Sequence, residues 1–77
     1  MKITVKLYAS LAKYAPDGEK DDIALDVAPM SIKELINHLG IPENDAGMVL
    51  INGKNAKYSD ELSENDYIQI LTELKGG

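Results

Sequence analysis

The chain has 77 residues and no cysteine, and 13 acidic against 8 basic residues give it a formal charge of −5. This length fits one small domain, the missing thiols exclude a disulfide framework, and the acidic balance argues against a nucleic-acid partner. Because no apolar run approaches the ~20 residues of a membrane span and no secretory signal pattern is present, we expect a cytoplasmic globular protein without membrane partners.

Two alternating segments near the start predict a β-hairpin. MKITVKLY (1–8) and DIALDV (22–27) each alternate apolar and polar residues, which is the period of a half-buried strand. Residues 9–15 between them suit one or two helical turns, and an antiparallel pair is the simplest arrangement of the two strands. The acidic stretch 17–26 is interpreted as a solvated loop, or as a surface that steers a basic partner.

The segment SIKE predicts the start of the main helix. Ser31 and Glu34 have the spacing of a capping box, and apolar residues follow at helical spacing as far as Leu39. Gly40 can then end the helix in a left-handed conformation. His38, the single histidine, lies at the helix end off the apolar stripe, so we interpret it as a surface residue and not as a metal ligand.

The second half of the chain predicts two further strands and a tight turn. Residues 42–47 are interpreted as a loop, and MVLI (48–51) as a continuous apolar strand. Asn52-Gly53 favours a hairpin turn with a short return arm, and YIQIL (67–71) predicts a last strand with its isoleucines facing inward. The whole order predicts an α+β fold, a mixed four- to five-stranded sheet with one main helix packed across one face.

Three segments resemble the MoaD/ThiS family of ubiquitin-like β-grasp sulfur carrier proteins. The opening ITVKLYASLAKYA (3–15) is similar to the small subunit of molybdopterin synthase, and VLINGK (49–54) is similar to the family's central strand and turn. LSENDYIQIL (62–71) resembles the last strand, with Asn65 where the family usually has glycine. Asparagine is the next-best residue for a positive backbone angle. The resemblance implies the ubiquitin-like β-grasp fold over nearly the whole chain.

The chemistry that the resemblance implies lies in the ending LTELKGG. We expect a β-grasp domain over residues 1–71 and a flexible C-terminal tail over 72–77, which would reach roughly 20 Å when extended. The main-chain carboxylate of Gly77 would be adenylated and then converted to a thiocarboxylate. Gly76 belongs to the same motif, because a residue without a side chain allows close backbone approach.

The sequence indicates a carrier or co-substrate and not an enzyme. It has no Gly-rich phosphate loop and no Cys-His or Ser-His-Asp set, so we expect no cofactor or metal bound by this chain. The resemblance implies an adenylyltransferase similar to ubiquitin-activating enzymes, which would use MgATP, and a persulfide sulfur donor. The sulfur acceptor would be the larger molybdopterin synthase subunit, beside which this chain is the non-catalytic small subunit, or another protein. We expect the free chain to be a monomer.

Docking onto such partners requires an exposed apolar surface. If Val49 and Ile51 face the helix, Met48 and Leu50 face away from it, and Leu71 should lie beside them. The alternative is that other residues cover this face, or that it is ordinary surface. The predicted partner-binding residues are Met48, Leu50, Tyr67, Leu71, Leu74 and Lys75.

Several functions remain open from the residues. A sulfur carrier could serve molybdopterin (molybdenum or tungsten cofactor) biosynthesis or, as a ThiS-type carrier, thiazole synthesis. Molybdopterin subunits often carry two prolines where this chain has Thr72-Glu73, and LKGG is closer to the LRGG ending of ubiquitin. A protein modifier, joined through Gly77 to lysines of target proteins, is therefore the alternative, and a binding module with inert glycines is a third reading.

Overall fold

A computed structural model describes residues 1–15 and 22–72 of the chain. Within these ranges the chain forms five strands and one α-helix. Two 3₁₀ helices, Ala9–Tyr14 and Glu43–Asp45, connect them. The predicted site residues Leu74, Lys75, Gly76 and Gly77 lie outside the described ranges. The strands and the helix are β1 (Lys2–Leu7), β2 (Ile23–Asp26), α1 (Ile32–His38), β3 (Ala46–Ile51), β4 (Lys54–Asn55) and β5 (Tyr67–Thr72).

The strands form one mixed sheet in the order β2-β1-β5-β3-β4. β1 pairs antiparallel with β2 and parallel with β5, and β3 pairs antiparallel with both β5 and β4. The predicted first hairpin and the mixed sheet are confirmed. The last strand along the chain is therefore the middle strand of the described sheet, so Thr72 ends a strand that has a neighbour on each side.

Helix α1 packs its apolar stripe against the inner face of the sheet. Ile32, Leu35 and Ile36 are fully buried, as are Ile68 and Ile70 of β5. Each such side chain contributes about 1.5–3 kcal/mol by leaving water. The predicted helix and the inward isoleucines of the last strand are thus confirmed.

The predicted capping box holds the start of α1. The Ser31 hydroxyl accepts from the Glu34 amide at 3.3 Å, and the Glu34 carboxylate accepts from the Ser31 amide at 3.1 Å. Gly40, with a φ of 78°, follows the helix in the left-handed region, as its type permits. His38 is exposed in the last turn of α1, which agrees with the prediction of a surface residue.

Three turns depend on positive backbone angles. Asn52 and Gly53 have φ values of 52° and 85°, the pair of angles that a tight hairpin turn requires. Asn65 has a φ of 67°, so the asparagine adopts the positive backbone angle that was expected at this position. Ala9 also has a positive φ, 54°, and no feature of the sequence indicated it.

The start of β3 was predicted wrongly. The strand begins at Ala46, two residues before the expected Met48, and Ala46 is buried and pairs with Thr72 of β5. The register shifts between Ala46 and Met48, and the intervening Gly47 carries no side chain that would reveal the strand period. Residues 43–45, predicted as loop, form a 3₁₀ turn. β5 continues through Thr72, one residue past its expected end.

Candidate functional site

The outer face of the sheet, the side turned away from α1, carries the predicted apolar residues of β3 and β5. Met48 lies opposite Leu71 and Leu50 lies opposite Gln69 across the two strands. Met48 is 51% exposed and Leu50 and Leu71 are half-buried, whereas Val49 between them is 2% exposed and belongs to the core. The strand orientation expected from the sequence is correct, and the assignment of these side chains to partner binding stays a prediction.

Tyr67 lies on the same face but turns toward β2. It is two residues before Gln69 on β5 and therefore diagonal to Leu50, a spacing that long side chains can bridge. Its hydroxyl donates to the Asp22 carboxylate at 3.1 Å. Loss of water contact and then the hydrogen bond and negative charge of Asp22 raise the pKa of Tyr67 above its ordinary value. Tyr67 is thus a neutral, oriented phenol at the border of the apolar residues.

Strand β1 adds a polar half to the outer face that the predicted residue set did not contain. The Gln69 amide donates to the Tyr8 hydroxyl at 2.7 Å, and the Lys6 ammonium lies 5.2 Å from the centre of the Tyr8 ring. The alternation of β1 placed Lys6 on the wet face, but nothing in the sequence showed that β1 is the parallel neighbour of β5. An apolar centre with a polar rim is typical of protein interfaces.

The apolar residues lie at the end of the sheet where β5 ends. Because β1 and β5 run parallel and β3 runs opposite, this end also holds the end of β1 and the start of β3. The Tyr8 amide donates to the Ile70 carbonyl at 3.1 Å, and Met48 and Leu71 face each other one residue before Thr72. A partner that covers this pair would therefore also contact the chain where it leaves the sheet.

The two 3₁₀ helices support this end of the sheet from the inner side. The Tyr14 hydroxyl donates to the Asp45 carboxylate at 3.3 Å, which joins the helix after β1 to the turn before β3. Leu11 of the first 3₁₀ helix is fully buried. The segment after β1 and the segment before β3 are thus joined at the end of the sheet where Thr72 pairs with Ala46.

Within residues 1–15 and 22–72, no three His, Asp or Glu side chains are grouped so that they could hold a metal ion. None of the helices in the same ranges is long and apolar enough to cross a lipid bilayer.

A family model described as Mut7-C ubiquitin matches residues 1–74 of the chain. The match ends before Lys75, Gly76 and Gly77, so the roles predicted for these residues stay predictions. None of the curated proteins matches the chain.

Solved structures with similar folds come from archaea and bacteria. SAMP1, small archaeal modifier protein 1 from Haloferax volcanii, is 22% identical, with 100% of both chains covered and a TM-score of 0.70. A putative molybdopterin converting factor subunit 1 from Pyrococcus furiosus is 17% identical, with 95% of this chain and 98% of that chain covered and a TM-score of 0.72. A chain from the complex of molybdopterin-converting factor subunits 1 and 2 of Helicobacter pylori is 17% identical, with 100% of both covered and a TM-score of 0.63. These likenesses confirm the predicted ubiquitin-like β-grasp fold.

Proposed function

The chain belongs to the Mut7-C ubiquitin family, and from this premise we propose that it is a sulfur carrier protein whose reactive group is the α-carboxylate of Gly77. Molybdopterin biosynthesis is the first pathway in which we place it, since structures of molybdopterin converting factor subunit 1 share its fold. In that role the chain is a co-substrate and the non-catalytic partner of a larger subunit.

The observation that carries the proposal is the relation between β5 and the glycines. β5 is the middle strand of the described sheet, and it ends beside the outward pair Met48 and Leu71. Gly76 and Gly77 follow within five residues of Thr72, the last residue of β5. A docking surface beside a narrow, glycine-ended segment suits delivery of a main-chain carboxylate into another protein's site.

The chemistry requires two steps outside this chain. The Gly77 carboxylate attacks the α-phosphorus of ATP on an adenylyltransferase, which forms an acyl-adenylate and releases pyrophosphate. A sulfur nucleophile then displaces AMP, and with sulfide itself the product is the thiocarboxylate plus one proton. The chain supplies the carboxylate and the surface that orients it, while the partner supplies MgATP and the phosphate-binding groups.

The outer face is the surface that we assign to these partners. Met48, Leu50 and Leu71 supply the apolar centre, and Tyr67 and Gln69 supply hydrogen-bonding groups at its border. Leu74 and Lys75 would extend the contact along the segment that enters the partner. The H. pylori structure is a complex of two converting-factor subunits, which supports a larger subunit as one occupant.

A second function is favoured by a separate observation. SAMP1 is called a small archaeal modifier protein and is covered along its full length by this chain, and LKGG resembles the ending of ubiquitin. In this alternative the activated Gly77 carbonyl is attacked by a lysine amine of a target protein, so that an amide bond forms and AMP leaves.

Intact mass spectrometry tests the proposal. The chain is incubated with the source organism's adenylyltransferase, MgATP and sulfide, and the expected product is heavier by the difference between a sulfur and an oxygen atom. A chain lacking Gly77 is the matched control and should stay unchanged. An unmodified intact chain in the presence of active enzyme would exclude the carrier, whereas conjugates of higher mass in cell extract that vanish without Gly77 would favour the modifier.

A further inference from the structure

The two edges of the sheet differ in how their main-chain groups are satisfied. On the β4 side, the edge strand has only two residues, and beyond it the Ala56 amide donates to the Val49 carbonyl at 2.9 Å and the Tyr58 hydroxyl donates to the Ala46 carbonyl at 2.6 Å, so these two carbonyls of β3 are satisfied. On the opposite side, β2 pairs only with β1, and no strand in the described ranges lies beyond it. An open strand edge of this kind can bind another extended chain.

The hydrogen-bond pattern shows which β2 groups face the open edge. The Val27 amide donates to the Met1 carbonyl at 2.8 Å, so these two residues form a hydrogen-bonded pair. In an antiparallel ladder every second pair is hydrogen-bonded. Ile3 and Leu25 are two residues further along each strand, so Leu25 also uses its main-chain groups on β1. Ala24 and Asp26 alternate with these residues, so their amides and carbonyls point away from β1. An added strand could form up to four main-chain hydrogen bonds there.

The β1 ladder supports the same assignment. The Thr4 amide donates to the Asp66 carbonyl at 2.9 Å, and the Lys2 carbonyl accepts from the Asn65 amide at 2.7 Å. Lys2 and Thr4 therefore use their main-chain groups on the β5 side, although they lie opposite Asp26 and Ala24. Those two β2 residues thus receive no main-chain bond from β1.

The side chains along this edge favour a basic occupant. Asp22, Ala24 and Asp26 are all exposed on the outer face, and the Asp26 side chain is 73% exposed even though the N-terminal ammonium lies 3.2 Å from it. Lys2 lies opposite Asp26 on β1, so a cation on an added strand would extend a row of alternating charge. Opposite charges directly across neighbouring strands stabilise a pair, and like charges destabilise it.

The residues between the two aspartates leave room for a small side chain. A groove of about 430 Å³ lies along β1 and β2. The pair Thr4 and Ala24 and the pair Lys2 and Asp26 are among the residues that line it. On the inner face, Leu25 is only half-buried at the edge, so part of its apolar surface is available to a β-branched side chain of an added strand.

We propose that the β2 edge binds an extended segment of a partner protein by strand addition, with Lys or Arg at its first and fifth residues. The third residue is small and lies beside Ala24, while β-branched second and fourth residues lie beside Leu25 and Ile23. A second copy of this chain fits poorly, because antiparallel β2 strands centred on Ala24 would place Asp22 against Asp26 of the other copy. The proposal does not depend on Gly77 or on the outer-face residues of β3.

Amide hydrogen exchange with a synthetic peptide tests this proposal. The probe is the capped peptide Lys-Val-Ala-Val-Lys added to the full-length chain, and the matched control carries Glu in place of both Lys. In the free protein the amides of Ala24 and Asp26 should exchange quickly and those of Ile23 and Leu25 slowly. The basic peptide should slow exchange at Ala24 and Asp26 by about tenfold or more and bind about tenfold or more tightly than the acidic control.

Two outcomes would overturn the proposal. If Ala24 and Asp26 are already protected in the free chain, the edge is not open. If the basic peptide instead perturbs only Met48, Leu50 and Leu71, it uses the outer face and not the edge. A basic peptide methylated on the main-chain nitrogens that face β2 keeps its charges but cannot donate the hydrogen bonds of an added strand. This peptide should no longer slow exchange at Ala24 and Asp26. Unchanged protection would mean that charge attraction alone holds the peptide.

Discussion

Adjacent residues of β3 that face opposite sides of the sheet provide a direct test of the proposed docking surface. Leu50 is half-buried on the outer face opposite Gln69, whereas Val49 is 2% exposed in the core. Leu50→Asp should therefore leave the fold intact and weaken partner binding. Val49→Asp is the matched control, because it introduces the same charge one residue away but on the inner face.

The two variants should lose very different amounts of folding stability. A chain of this size should have a free energy of unfolding of about 4–12 kcal/mol. Val49→Asp loses about 1.5–3 kcal/mol of apolar burial and adds about 1–3 kcal/mol or more for an unsatisfied buried polar group, which is enough to unfold a marginal domain. Leu50→Asp loses only part of a leucine's burial, about 1 kcal/mol, since its carboxylate stays hydrated.

The binding effect is measured on the activating enzyme. A residue at the centre of an interface contributes about 2 kcal/mol or more, so Leu50→Asp should raise the KM of the adenylyltransferase for this chain by about 30-fold. Urea denaturation followed by circular dichroism measures the stability of both variants. If Leu50→Asp loses as much stability as Val49→Asp, the two faces of the strand are assigned wrongly. If Leu50→Asp is folded and its KM is unchanged, the proposed docking surface is refuted.

Three further changes test particular contacts. Ser31→Ala should lower the free energy of unfolding by about 1 kcal/mol because it removes the helix cap, whereas Ser10→Ala should not; equal urea midpoints would contradict the cap. Asn65→Gly should keep the stability of the parent chain, and Asn65→Val should lose about 1–2 kcal/mol because of its positive φ, so two equally stable variants would argue against the turn conformation. The raised pKa of Tyr67 means that the folded state holds the phenol proton more tightly than the unfolded state does. The protonated phenol therefore adds to the free energy of unfolding in full at pH values below the unfolded pKa near 10. This contribution is lost as the pH rises through the folded pKa. Asp22→Asn should lower that pKa, measured by phenolate absorbance with Tyr67→Phe as the blank, and an unchanged midpoint would mean that Asp22 is not a cause.

Local patterns in the sequence were sufficient for most elements. The capping box of Ser31 and Glu34 and the turn at Asn52-Gly53 are properties of a few neighbouring residues, and both are present in the structure. Alternation also identified the inward and outward sides of β5. Such features can be read from one segment, because the backbone period determines which side chains share a face.

The start of β3 shows where local patterns fail. Gly47 has no side chain to show the period, and Ala46 becomes a strand residue through its pairing with Thr72, 26 residues later in the sequence. The positive φ of Ala9 was missed for a related reason. Ala9 begins the 3₁₀ helix that follows β1, and alanine itself does not favour a positive φ.

The sequence alone determined the inward and outward sides of β1, β2 and β5, since an alternating pattern depends only on the strand period. Only the tertiary structure decided that β1 lies parallel to β5, that Lys6 and Tyr8 therefore join Gln69 on the outer face, and that β2 is left as the open edge. Pairing between distant strands depends on how the whole core packs, and no single segment contains that information.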